Sequence, residues 1–178
     1  MNDKDKLNRI LTDDNVVYSI NSNLDYLLTI IPEARNMIDF PHNHPHHHLD
    51  VWHHTLLALS ISPNDFTIRL ALLLHDIGKP YSYQDGEVRH FKNHAYFSYE
   101  ISKNILYRLG YDKEFVYLVS NLIRYHDIPI TKRDINDNYD AAYLRYIIQK
   151  CDALSHNPDK LGKRKEYLVK TLKLFNEF

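Results

Sequence analysis

Leu70-Ala71-Leu72-Leu73-Leu74-His75-Asp76-Ile77-Gly78-Lys79-Pro80 is the stretch on which the reading of this chain turns. An unbroken apolar run leads straight into a histidine and an aspartate. Counted from Ile68, the residues Ala71, Leu72 and His75 follow at spacings of three, four and seven. They therefore share one stripe of a helix, and His75 lies on its buried face. Ser62 as N-cap and Pro63 in the first turn would open this helix. Gly78 and Pro80 would stop it. A charge buried without a partner is costly, and a divalent cation would satisfy His75 and Asp76 together. The plainer alternative is a core histidine bonded to a backbone carbonyl, beside a turn-forming aspartate. One His-Asp pair alone favours that alternative.

Working outward, the pattern recurs. His54 shares a stripe with Val51, Ala58 and Ile61, and His126 shares one with Val119, Leu122 and Ile123. His94 opens a stripe with Phe97, Ile101 and Ile105, and Asp152 follows Ile148 by four residues. Five helices each turn a histidine, an aspartate or the pair toward the core, and a shared metal centre explains them together. Imidazole and carboxylate donors suit Mn, Fe, Co, Ni or Zn, with no thiolate implied.

The remaining periodicity is helical almost throughout. It predicts helices over Leu24–Ile31 (ended by Pro32), Leu49–Ile61, His94–Leu109 (ended by Gly110), Asp112–His126 (closed by Pro129), Tyr139–His156 and Asp159–Phe178. Residues 81–93 read as a polar, aromatic loop with room for a short hairpin at Asp85-Gly86, and residues 131–138 as a polar loop. The expected fold is all-α, a single-domain helical bundle over residues 1–178.

Composition narrows the function. At 178 residues the chain can bury a full core without disulfides or structural metal, so any metal is free for chemistry. Lys+Arg at 22 against Asp+Glu at 23 leaves no global basic field, so no stable nucleic-acid partner is implied. Cys151 is the only cysteine, and the polar start Met1-Asn2-Asp3-Lys4 does not read as a signal peptide. No apolar run is long enough for a membrane span, and a cytoplasmic location is expected. The four glycines argue against Gly-rich phosphate loops.

The ordered set His54, His75-Asp76 and Asp152 resembles the ligand set that names the HD superfamily of metal-dependent phosphohydrolases. His94 and His126 resemble the two further histidines of its dinuclear members. The similarity is greatest to the HD domain of bacterial tRNA nucleotidyltransferases and to stand-alone HD hydrolases. It rests on Asp50-Val51-Trp52-His53-His54-Thr55-Leu56, Leu73-Leu74-His75-Asp76-Ile77-Gly78-Lys79-Pro80, His90-Phe91 with His94, Leu106-Tyr107-Arg108-Leu109 and Leu122-Ile123-Arg124-Tyr125-His126, all within residues 45–155. No nucleotidyltransferase head accompanies them, so tRNA end addition is not implied. The family usually has glutamate where His53 stands and glycine where Asn93 stands; His54 is preferred over His53 as ligand because it precedes Thr55-Leu56.

The resemblance implies one metal on His54, His75, Asp76 and Asp152, with Asp76 bridging to a second on His94 and His126. One or two divalent ions (Mn, Fe, Co, Ni, Zn or Mg) would ionise water and neutralise phosphoryl charge. The substrate expected is a small phosphomonoester or phosphodiester such as a nucleotide, with Asp76 and Lys79 as catalytic residues. Lys79, Arg124 and His48 are candidates for substrate binding, and Tyr81, Tyr83 and Arg89 also flank the expected ligands. A di-iron oxygenase on the same ligands, or a non-enzymatic metal-binding module, are the alternatives. The run Pro41-His42-Asn43-His44-Pro45-His46-His47-His48 reads as a solvated entry loop, with a metal-collecting loop or a lid as the competing view.

Overall fold

A computed structural model describes residues 1–178. It is all-α apart from one small hairpin. The order is α1 (Asp3–Leu11), α2 (Val16–Ser22), α3 (Leu24–Ile30), a 3-10 turn (Pro32–Met37), α4 (Val51–Ser60), α5 (Phe66–Leu74) and α6 (Lys79–Ser82). The hairpin β1 (Tyr83–Gln84) and β2 (His90–Phe91) follows, then α7 (His94–Arg108), α8 (Lys113–Arg124), α9 (Lys132–Asp137), α10 (Tyr139–Leu154), a 3-10 turn (Pro158–Lys160) and α11 (Gly162–Phe175). No helix is long and apolar enough to cross a membrane.

The hub is α5. Every residue from Ile68 to Leu74 is buried, as expected of a helix that is apolar all round and enclosed by others. It packs against α1, α4, α8 and α10. Its one cation, Arg69, is buried but satisfied: Nη1 donates to Leu11 O at 2.7 Å and Asp13 O at 2.8 Å, closing the C-terminal end of α1. Most buried apolar residues of α1–α5, α7, α8 and α10 form one cluster. A smaller one, containing Ile130, Ile135, Tyr146, Leu168 and Phe175, lies between α9, α10 and α11.

Three expectations are corrected by local chemistry. The hub helix starts at Phe66, not near Pro63, because Asp65 accepts from Ile68 N at 2.9 Å. Ser62 is otherwise engaged, its Oγ donating to Leu59 O at the end of α4. The helix also ends at Leu74, earlier than expected. Gly78 has an ordinary φ of −83°, so it does not act as a left-handed stop. Pro80 lies in the first turn of α6, where its missing N–H is not needed.

Residues 131–138 hold a helix rather than a loop. Thr131 and Asp134 form a reciprocal capping box, and Ile135 is buried beneath it. Thr-x-x-Asp carried the signal in the sequence. The N-terminal helices α1 and α2, for which no expectation was formed, start on the side chains of Asn2 and Asn15.

Asp134 is partly desolvated, but its bonds from Thr131 and the nearby Arg145 outweigh this and hold its carboxyl below the usual range. A depressed folded pKa stabilises above the unfolded value and is lost as pH falls through the folded one. Asp134→Asn should therefore lower stability at neutral pH, because the amide loses the charge that Thr131 and Arg145 favour. Urea unfolding of both proteins should show the gap closing as pH falls below the ordinary carboxylate range.

Candidate metal centre

Each candidate donor stands where an element begins or ends. His54 lies in the first turns of α4, capped by Asp50. His75 follows α5, Asp76 lies in the turn after it, and His94 is the first residue of α7. His126 lies just beyond α8, and Asp152 in the last turn of α10.

The histidines are oriented alike. Nδ1 of His75 lies 2.6 Å from Leu72 O, that of His94 3.0 Å from Phe91 O, and that of His126 2.7 Å from Ile123 O. His54 Nδ1 faces the carbonyl and hydroxyl of Ser155 at 3.3 and 3.1 Å. A carbonyl can only accept, so Nδ1 of His75, His94 and His126 donates to it and Nε2 is the nitrogen turned inward. Such outer-shell bonding is how ligand histidines are held.

The inward atoms meet on two carboxylates. His75 and His54 Nε2 lie 3.2 and 3.6 Å from Asp76 Oδ2. His94 and His126 Nε2 lie 3.5 and 4.0 Å from its Oδ1. Asp152 Oδ1 is 2.9 Å from His54 Nε2 and 3.7 Å from His75 Nε2. Asp76 thus stands between two histidine pairs, one pair per oxygen. The donor atoms of His54, His75 and Asp152, and those of His75, Asp76 and His126, each fit within 4.8 Å.

These residues fit a divalent cation. His75 Nε2 and both oxygens of Asp76 are buried without an aligned hydrogen bond, despite the short distances around them. His94 and His126 bring two Nε2 atoms to 3.2 Å, a repulsive meeting of lone pairs unless a proton or a cation lies between. The donors are imidazole and carboxylate, and Cys151 is directed away, toward Ile61 O.

In the protein alone, protons and Lys79 offset the carboxylates. Burial disfavours a charged His75, yet Asp76 and Asp152 outweigh it and lift its pKa to about 10. Burial likewise opposes ionisation of Asp76 and Asp152, but the neighbouring histidines, with Lys79 beside Asp76, hold both well below the ordinary range. Burial lowers His94 to about 4, and His126 is lowered for the same first reason.

Lys79 is buried rather than solvated. Its Nζ lies 2.6 Å from Asp76 Oδ2 and 2.9 Å from His42 Nε2. The cavity over the donors, about 260 Å³, is lined by Asp76 and Asp152 but also by Lys79, Arg89 and Arg164. Two substrate-binding candidates are elsewhere. His48 is exposed and lines no part of this cavity. Arg124 lies over the rings of Tyr96 and Tyr125. Tyr81 is exposed, its hydroxyl accepting from Asn36. Arg89 lies over Phe40 and Tyr83. His53 turns outward onto its own helix cap, Asp50 Oδ2, at 2.7 Å.

The histidine run is a pinned cover. Asn157 N donates to His46 O at 2.9 Å on one side. Arg89 Nη1 donates to Pro41 O at 2.8 Å on the other. His42 is buried, and its ring stacks on His47 at 3.6 Å. His47 in turn meets His54 and His156. His156 was not singled out in the sequence; its Nδ1 donates to Asp152 O at 2.7 Å. Its spacing of four from Asp152 was the available signal. Asn93 also finds an explanation. It has φ 61°, a left-handed conformation that asparagine tolerates and glycine favours.

Residues 46–161 match the family model described as HD domain. The chain is also similar to the CC-adding tRNA nucleotidyltransferase of Thermus thermophilus, at 33% identity over 133 residues. That match covers 69% of this chain but 30% of the nucleotidyltransferase, so the chain spans under a third of its relative's length. A family match over more than half of the residues, on the segment that carries every candidate donor, makes this chain a member of the HD domain family.

Proposed function

We propose that this protein is a metal-dependent phosphohydrolase acting on a small phosphoester, a nucleotide in particular. The carrying observation is the cavity itself: a cluster of histidine and carboxylate donors at its floor, under walls bearing Lys79, Arg89 and Arg164. An oxygen-activating centre has no need of that cationic wall, whereas a phosphoryl group does. HD domains bind divalent metals; here His54, His75, Asp76 and Asp152 would hold one ion and His94 and His126 a second, shared through Asp76. When bound, such ions supply an ionised water near neutral pH and neutralise phosphoryl charge. Lys79 Nζ, between Asp76 Oδ2 and His42 Nε2, offers a fixed positive charge to a phosphoryl oxygen. The His42–His47 stack covers the site and excludes bulk water. Residues 1–178 act as one HD unit in this reading, in the cytoplasm, where the lone buried Cys151 stays reduced.

The test is a metal-by-substrate screen of chelator-stripped protein. Phosphate release should vanish with chelator and return with Mn, Co or Ni, because hydrolysis uses the ion only as a Lewis acid. Intact nucleoside monophosphates, cyclic nucleotides and aryl phosphates under every metal, with oxygen uptake by iron-loaded protein, would replace this reading with an oxygenase.

The two-ion arrangement is tested separately. His126→Ala should lose one metal equivalent and keep the other, since His54, His75 and Asp152 are untouched. Elemental analysis at saturating metal reads the difference. A folded wild-type protein that takes up only one equivalent would leave His94 and His126 as outer-shell groups.

A further inference from the structure

The cavity over the donors does not end at the donors. It shares His126, Asp127, Asp152 and Arg164 with a second hollow of about 700 Å³. That volume lies in the range that takes up a nucleotide-sized ligand. The second hollow runs along the start of α11 and carries Lys160, Lys163 and Arg164. Arg89, Arg108, Arg133 and Arg145 each face a carboxylate. Lys160, Lys163 and Arg164 form no ion pair. Lys160 and Lys163 are exposed and Arg164 is half-buried, so their charge faces the hollow and the solvent alike.

Two further observations concern the same wall. Helix α11 opens on Leu161, which supplies no side-chain cap, so the first-turn N–H groups beside the hollow keep their positive end. Arg164 stands at the junction of the two cavities, lining both. The hollow is not uniformly basic: Asp127 and Asp159 also line it. Those carboxylates suit the hydroxyl and amino donors of a nucleoside and disfavour a bare polyphosphate.

We infer that this second hollow seats a non-reacting phosphate, so that the preferred substrate is a nucleotide carrying two phosphoryl groups. One would lie on Lys160, Lys163 and Arg164, and the other over the His-Asp cluster. The inference rests on the phosphohydrolase reading for which phosphate reacts, but the seat can be measured by binding alone.

The experiment titrates the protein calorimetrically with AMP, ADP and adenosine 3′,5′-bisphosphate, alongside a phosphate-release assay on each. At least one two-phosphate nucleotide should bind about tenfold or more tighter than AMP. Lys160 and Lys163 are exposed, so a Lys160→Ala/Lys163→Ala double variant should fold. In it, that ratio should fall to within about threefold. Equal affinity for all three nucleotides, or a parallel loss for AMP and its two-phosphate analogues in the variant, would overturn the inference. If AMP is hydrolysed without any such preference, the inference fails and the phosphohydrolase reading stands. If the lysine-dependent preference is present but nothing is hydrolysed with any metal, the phosphohydrolase reading fails and the seat stands.

Discussion

Asp76→Ala should empty the centre of metal and abolish phosphoester turnover. Its two oxygens face different histidine pairs, His54 and His75 on one side and His94 and His126 on the other. The other candidate carboxylate, Asp152, approaches His54 and His75 but neither His94 nor His126. Changes one shell out typically cost about 10–100-fold in metal affinity or activity, and removal of a shared ligand should exceed that. The substitution has a second consequence. Lys79 is buried at 2.6 Å from the lost carboxylate, and a buried charge stripped of its partner commonly destabilises by about 3–5 kcal/mol. A loss of metal could then be a loss of fold. Asp76→Asn keeps the volume and one neutral acceptor, so circular dichroism and elemental analysis on both variants separate the causes. A folded, chelator-stripped Asp76→Ala protein that still binds a transition metal at micromolar concentration would refute the assignment.

Gly78→Ala should be the most damaging small substitution in the chain. A Cβ there would lie 2.4 Å from Ser98 N, 2.5 Å from His94 O and 2.8 Å from Phe97 Cβ. Two of these are backbone atoms of the first turns of α7, which cannot swing aside as a side chain would. Overpacking of a core commonly costs about 1–3 kcal/mol, and a clash against backbone should reach the upper end. The relief available is to move the start of α7, and His94 is its first residue. The expected result is a lower melting temperature together with loss of the His94–His126 metal equivalent, the other equivalent being retained. Substitution at Gly162, where an added Cβ meets nothing within 4 Å, serves as the control and should leave metal content unchanged. Unaltered stability and full metal content in Gly78→Ala would show that α7 yields without moving His94.

The same glycine shows where sequence reasoning stopped. Gly78 and Pro80 read as helix terminators, which is their commonest local role. In the fold, Gly78 is a point of contact between two chain segments, Gly78 N donating to Ser98 Oγ at 2.9 Å. Nothing local to residue 78 identifies a partner twenty residues away. Asn93 is the opposite case. Its left-handed φ of 61° is a property of one residue, of a kind that asparagine tolerates.

What the sequence determined alone is whatever a helical period or a nearest-neighbour hydrogen bond can carry. The 3.6-residue spacing of apolar side chains set the class as all-α and aimed His54, His75, His94, His126 and Asp152 inward, because a stripe that is buried buries the polar residue on it as well. The capping box at Thr131 and Asp134 is legible by the same local logic, although the polar composition of residues 131–138 reads as loop. Only the tertiary structure decided which lone pairs meet. The Nδ1 bonds to Leu72, Phe91 and Ile123 are three residues long, but their effect appears only when four helix ends place the opposite nitrogens around Asp76. It also decided that His42 and His47 belong to the site while His48 does not. Loop residues follow no period, and Asn157 and Arg89, which pin that loop in place, are distant in sequence. Lys79 turned on the same distinction: a helix-end lysine is ordinarily solvated, and only the packing of His42 above it and Asp76 beside it holds this one buried.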